Sequence, residues 1–146
     1  MVTLKALPKI WMNGKFEAWE DARIHVLSHG LHYGYSVFEG IRAHSTPGGP
    51  AIFRLSDHLH RFENSAKIYR MKLPYDLGQL SEACVDLVRH NGRPDVYLRP
   101  IAFSGYGEMG LDPSKSRIDV AIALWEWGPL LGGGRDPKGV RATVSS

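Results

Sequence analysis

The 146-residue sequence predicts an α+β domain: a mainly antiparallel sheet with two helices packed on one side. Two observations carry that expectation. Extended segments with alternating faces lie before and after a central pair of amphipathic helical segments. An Asn-Gly dipeptide, Asn13-Gly14, sits between two short extended runs and supplies the two positive-φ positions of a hairpin turn.

The elements follow in order. Ile10 to Phe16 forms the hairpin. Residues 24–35, dense in His, Gly and Tyr, form a short helix or turn. Ser36 to Ala43 is extended, with Phe38, Gly40 and Arg42 on one face and Val37, Glu39 and Ile41 on the other. Thr46-Pro47-Gly48-Gly49-Pro50 turns the chain, and Ala51 to Leu55 returns as the partner strand. Ser56 caps a helix running to about Met71, whose buried stripe is Leu59, Phe62, Ala66 and Tyr69; Lys72-Leu73-Pro74 ends it. Asp76, with Gln79 three positions on, starts a second helix whose apolar face is Leu77, Leu80, Cys84, Leu87 and Val88, closed by Asn91-Gly92. Asp95 to Ser104 and Arg117 to Trp127 are strands joined by a glycine-containing loop at 105–116. The expected organisation is a small N-terminal domain over 1–127, a glycine-rich interdomain linker over 128–139, and at 140–146 a strand that begins a second, truncated domain.

Composition narrows the function. An apolar fraction of 43% and a charged fraction of 23% are those of a globular chain, which excludes wholesale disorder. The net charge of +3 is scattered without a basic run, which argues against a nucleic-acid partner. Cys84 is the only cysteine, so no intrachain disulfide forms, as suits a reducing compartment. The first residues are interrupted by Pro8 and make a poor signal peptide; the longest apolar run, Val120 to Trp125, cannot span a bilayer. A cytoplasmic protein with no membrane partner is expected.

Several residues could carry chemistry. His25, His29 and His32 have helical spacing, but lack the glutamate of a zinc-binding H-E-x-x-H motif, and no CxxC accompanies them. Hydrogen-bonded histidines in a packed turn are the favoured reading, with no metal. Cys84, on an apolar helix face, reads as core. No nucleophile elbow and no Rossmann-type glycine loop is present. Arg61 lies in the second turn of the first helix, where a guanidinium fork could hold a phosphate; a solvated helix face is the commoner explanation. Tyr97 and Arg99 share a strand face opposite Val96 and Leu98 and could receive a carboxylate, or simply face water.

Taken together, these signals fit one pattern. The run from Val26 to Arg42, which includes Ser28-His29-Gly30-Leu31-His32-Tyr33-Gly34 and Phe38-Glu39-Gly40-Ile41-Arg42, resembles the signature of branched-chain amino-acid aminotransferases of fold type IV. Arg61 with Asn64-Ser65-Ala66-Lys67, Tyr97-Leu98-Arg99-Pro100, and Met109-Gly110-Leu111-Asp112-Pro113 continue the resemblance along essentially the whole chain. It implies pyridoxal 5'-phosphate as cofactor, gripped at its phosphate by Arg61. It implies a substrate pocket lined by Phe38 and Gly40, with Tyr97 and Arg99 at the substrate site and Arg99 receiving the distal carboxylate of glutamate. Tyr33, Met109 and Leu111 would reach the active site of a neighbouring subunit in a homodimer or higher homo-oligomer. The implied reaction is transamination between leucine, isoleucine or valine and 2-oxoglutarate, yielding glutamate. No catalytic residue is assigned within the chain: the family's Schiff-base lysine is expected beyond Ser146, so the chain alone should be inactive. Leu130 stands where the family often has a tyrosine, which leaves substrate preference open. A D-amino-acid aminotransferase, an aminodeoxychorismate lyase and a non-enzymatic α+β binding or dimerisation module are the competing readings.

Overall fold

The computed structural model describes residues 4–127 and 142–144. The chain opens with the expected hairpin, β1 (Lys9–Met12) and β2 (Lys15–Ala18). Met12 pairs with Lys15, and Asn13 and Gly14 take left-handed φ angles of 49° and 88° between them. Asn13 also ties the hairpin to the last strand. Its amide N–H donates to Val120 O at 2.9 Å, and its Oδ1 accepts from Val120 N at 2.9 Å.

A one-turn helix, α1 (His29–Tyr33), leads into β3 (Ser36–Phe38), β4 (Ile41–Thr46) and β5 (Gly49–Ile52). Two longer helices follow, α2 (Leu55–Ile68) and α3 (Leu77–Asn91), then the long strands β6 (Val96–Ser104) and β7 (Ile118–Trp125). The seven strands form one sheet in the order β2-β1-β7-β6-β4-β5, with β3 also paired to β6, and every pairing is antiparallel. The core lies between the helices and one face of the sheet. Leu59 and Phe62 of α2 and Leu80, Cys84 and Leu87 of α3 are fully buried with Ile41, Leu98, Val120, Ile122 and Leu124 of the strands. Cys84 is therefore a core thiol, as its helix position suggested, and burial pushes it up to about 12.

The expected continuous strand over Ser36–Ala43 is divided. Phe38 pairs with Ile101 and Ile41 with Leu98, so the register against β6 is the same on both sides of the gap. Opposite the gap stands Pro100. The Glu39 N–H donates to Pro100 O at 2.9 Å, but a proline has no N–H to return. The alternation survives the gap: Val37, Glu39 and Ile41 are buried, Phe38 is exposed and Gly40 half-buried.

The helices confirm one end signal and correct another. Asp76 and Gln79 form a reciprocal capping box at 2.8 and 3.0 Å, and Gly92 closes α3 in the left-handed region. Ser56, expected as the cap of α2, lies inside the helix. The strand keeps hold of the chain through Phe53 N–H to Arg42 O at 2.8 Å. The turn then falls at Arg54, left-handed at φ 47°, and no side chain caps the helix. The buried stripe also ends earlier than expected. Leu59, Phe62 and Ala66 are buried, but Tyr69 lies past the helix end and is exposed; Met71 takes the next core place.

The proposed linker at 128–139 lies outside the described residues. Of the strand expected over 140–146, residues 142–144 are described; they are exposed and have no regular structure. No helix among the described residues is long and apolar enough to cross a membrane.

Phe62 is fully buried, whereas Ile68 on the same helix is 80% exposed. Phe62→Ala is expected to lower stability by about 3–5 kcal/mol, and Ile68→Ala to change it by less than about 1 kcal/mol. Urea denaturation followed by circular dichroism measures both; equal losses would contradict this placement of the core.

Candidate functional site

Away from the helices, the open face of the sheet gathers aromatic rings around one cation. Tyr97 and Arg99 stand two apart on β6, opposite buried Val96 and Leu98, as the spacing requires. Arg99 Nη2 donates to the Tyr97 hydroxyl at 3.0 Å. The Arg99 guanidinium carbon lies 4.4 Å from the centroid of the Phe38 ring and 5.7 Å from that of Trp125. Tyr97 in turn contacts Trp125 and Trp127, with ring centroids 5.0 and 4.6 Å away. Arg99 Nε is buried without a hydrogen-bond partner among the described residues. The fork thus has a donor that the described protein atoms do not satisfy.

Gly40 makes this arrangement possible. A Cβ there would overlap the Tyr97 hydroxyl and crowd its ring. The structure therefore brings together four of the sequence-derived site residues: Phe38, Gly40, Tyr97 and Arg99.

Arg61 belongs to a second cluster, on the helix side. Its Nε and Nη2 donate to the two carboxylate oxygens of Glu39 at 2.6 and 2.7 Å. His58, one turn earlier on α2, places Nδ1 3.0 Å from Glu39 Oε2 and acts as a further donor there. The Gly40 amide adds a contact at 3.3 Å. Glu39 is 5% exposed, while the Arg61 side chain is 65% exposed. Burial pushes the Glu39 carboxyl up; the hydrogen bonds from Arg61 and His58, with the Arg61 charge and the Gly40 amide, outweigh it and hold the carboxyl below its ordinary value. The same hydrogen bond to Glu39, with its charge, raises Arg61.

Tyr33, Met109 and Leu111 do not join either cluster. They are exposed, at α1 and in the loop after β6. Buried His29 connects their segments: its Nε2 lies 2.8 Å from Gly110 O, its amide donates to Gly105 O at 3.0 Å, and its ring sits 4.5 Å from Tyr33. His25 Nδ1 accepts from Leu27 N and His32 Nε2 bonds Val26 O, both within the turn, whereas the His29 ring bonds outside it and its buried Nδ1 has no hydrogen-bond partner among the described residues. Among the described residues, no group of three or more His, Cys, Asp or Glu side chains is placed to hold a metal.

Sequence reasoning missed Glu39, His58, Trp125 and Trp127 as site residues. An acid between apolar Val37 and Ile41 at an inward position was the available signal, because a buried carboxylate requires a cationic partner. Nothing local marked the tryptophans; they reach the site only because β7 pairs with β6, setting Trp125 opposite Tyr97.

Comparison with known proteins gives a consistent result. Residues 36–145 match the amino-transferase class IV family. The branched-chain-amino-acid aminotransferase of Salmonella typhimurium is 44% identical over 99% of this chain and 47% of its own length. The crystal structure of the Escherichia coli branched-chain amino acid aminotransferase superposes with a TM-score of 0.84 at 45% identity, covering 87% of this chain and 42% of that one. The T.th. branched-chain amino acid aminotransferase complexed with N-(5'-phosphopyridoxyl)-L-glutamate superposes with a TM-score of 0.82 at 50% identity, covering 86% and 42%; a further structure of it holds 4-methylvaleric acid. The chain spans about half the length of the curated relatives it matches.

The lowered Glu39 carboxyl fixes a sign for pH dependence. Its ion pair stabilises the fold above the ordinary glutamate value, about 4.3, and this contribution disappears as pH falls through the lower folded value. Thermal melting from about pH 6 to about pH 3 should show a steeper loss for the natural chain than for Glu39→Gln. Parallel curves would contradict the pairing.

Proposed function

The chain belongs to the class IV aminotransferases, and from that premise we propose that it builds the substrate-receiving and phosphate-holding side of an enzyme that moves an amino group from leucine, isoleucine or valine to 2-oxoglutarate. The carrying observation is Arg99, hydrogen-bonded to Tyr97 and stacked beside Phe38, with a buried donor left unsatisfied. The two substrates set opposite demands: one presents an aliphatic side chain, the other a carboxylate. A guanidinium lying against an aromatic wall answers both. Phe38 offers apolar surface, while the Arg99 edge and the Tyr97 hydroxyl offer donors to a carboxylate. The relatives found with a phosphopyridoxyl-glutamate adduct and with a branched aliphatic acid support this reading.

Pyridoxal 5'-phosphate fits the donor set. Arg61 keeps its Nη1 without a hydrogen-bond partner among the described residues, on a side chain open to solvent, and would hold the phosphate. When bound, that cofactor supplies the electron sink for removal of the substrate α-proton. The role of this chain is to orient: Arg61 would anchor the phosphate, while Tyr97 and Arg99, flanked by Phe38 and Gly40 on the open face, would receive the distal carboxylate. No lysine lies on β3, β4, β6 or β7, the strands that build the open face, so the proton-moving amine is not assigned to them. The exposed apolar residues Tyr33, Met109 and Leu111 are proposed to close the pocket of a second copy in a homodimer, in a cytoplasmic enzyme.

Two outcomes are expected. The purified 146-residue chain should show no amino transfer from L-leucine to 2-oxoglutarate in the presence of pyridoxal phosphate; measurable turnover would overturn the assignment of proton transfer elsewhere. A protein containing this chain together with the family's lysine should use L-leucine in preference to D-alanine. In it, Arg99→Gln should raise KM for 2-oxoglutarate by roughly 10- to 100-fold, the scale of hydrogen bonds to charged groups, while KM for L-leucine stays near its starting value. Equal rises for both substrates would count against a carboxylate-receiving role.

A further inference from the structure

Glu39 presents an energetic puzzle that packing does not answer. It is 5% exposed and lies between Val37 and Ile41, both buried in the apolar core. An apolar side chain would fill such a place at less desolvation cost, since a buried ion pair is seldom a net gain over hydrophobic packing. Its main partner, Arg61, is mostly exposed and could satisfy its own donors with water. The carboxylate does something water cannot: it fixes the plane and direction of the guanidinium.

We propose that Glu39 is a positioning residue for the anion site of Arg61, a proposal that rests on the reading of Arg61 as the phosphate-holding group. The guanidinium has five N–H groups. Glu39 takes the Nε hydrogen and one of those on Nη2, which also lies 3.3 Å from His58 Nδ1; both Nη1 hydrogens are left pointing away from the carboxylate. Those are a pre-formed fork for phosphate oxygens. His58 braces the carboxylate from the same helix, one turn away, and the Gly40 amide braces it from the strand.

The bracing also sets distance within the site. Glu39 is held to β6 through Pro100 O, one residue along from Arg99. Phe38 and Gly40, its two neighbours, shape the Arg99–Tyr97 face. The group that grips phosphate is thereby indexed to the group that receives the distal carboxylate. Without Glu39, Arg61 would be a flexible side chain whose rotamer freedom is lost only when the anion binds.

Two effects of Glu39→Gln oppose each other, which makes the test decisive. Removing a negative charge near an anion site would by itself tighten binding by on the order of threefold across a partly solvated gap. Losing the fixed fork would weaken it by up to roughly 30-fold, the equivalent of the ~2 kcal/mol of rotamer entropy in an arginine side chain. The expected net result is a roughly tenfold weaker pyridoxal 5'-phosphate complex.

The experiment uses a protein that contains this chain together with the family's lysine. Dissociation constants for pyridoxal 5'-phosphate and for pyridoxal, which lacks the phosphate, are measured by absorbance titration for the natural protein, Glu39→Gln, Arg61→Gln and the double variant. Glu39→Gln should weaken the phosphate form and leave pyridoxal unchanged, and it should add nothing further in the Arg61→Gln background. Tighter or unchanged binding in Glu39→Gln overturns the proposal, as does an effect that persists without Arg61, because that effect comes through the fold. If Arg61→Gln itself leaves the preference for the phosphate form intact, the reading of Arg61 fails, and that result is distinct from a failure of Glu39 alone. Should Glu39→Gln fold poorly, Arg61→Lys serves: it keeps the charge but cannot be gripped at two points. Natural affinity in Arg61→Lys overturns the proposal, and a loss supports it.

Discussion

The pairing of Ser36–Ala43 with β6 is the constraint on which the site depends. Because strand residues alternate faces, that single register sends Phe38 and Gly40 to the open face and Glu39 to the helix side. A slip of one residue would exchange these roles at once. Glu39 would lie among the aromatic rings, and Phe38 and Gly40 would face α2. The register is held on both sides of the Pro100 gap by burial of Val37, Ile41 and Ala43, so the core that stabilises the domain also sets the site's geometry.

Pro100 sharpens this account. Proline is unusual in a central strand because it removes one ladder hydrogen bond. Here the missing bond falls at Glu39, between β3 and β4, where the chain still receives one bond through Pro100 O. The ladder is thus released at the segment whose three residues, Phe38, Glu39 and Gly40, serve both clusters. Tyr97 leans over the next residue, Gly40, which has no Cβ to obstruct it. A loosened ladder and an absent side chain leave room for the phenol, and the long strands β6 and β7 keep the surrounding sheet intact.

What was legible in the sequence was local. The Asn13-Gly14 turn, the Asp76–Gln79 capping box and the Gly92 stop depend on residues within a few positions of one another, and the structure contains all three. The α+β order and the Phe38, Gly40, Tyr97, Arg99 face were legible too, because strand alternation and the motif resemblance agree there. Ser56 misled because the start of α2 is set by a tertiary bond, Phe53 N to Arg42 O, which outweighs a local cap. Tyr69 misled because the helical period was extended past the point where the chain turns. Glu39 was placed on the correct face, but its meaning was hidden: its partners His58 and Arg61 are 19 and 22 residues away.

The two clusters differ in how they handle charge, and the difference follows from where water can reach. Arg61 is exposed, so its direction would be free unless something buried held it; a carboxylate at the edge of the core does so, at a desolvation cost offset by four hydrogen-bond donors. Arg99 is enclosed by rings, so its direction is set by shape and by its bond to the Tyr97 hydroxyl, and its Nε has no hydrogen-bond partner among the described residues. One arginine is thus aimed by a carboxylate and the other by aromatic walls. Both are referred to the same three residues, Phe38-Glu39-Gly40, so the placement of the two arginines follows from one short stretch of strand rather than from two independent loops.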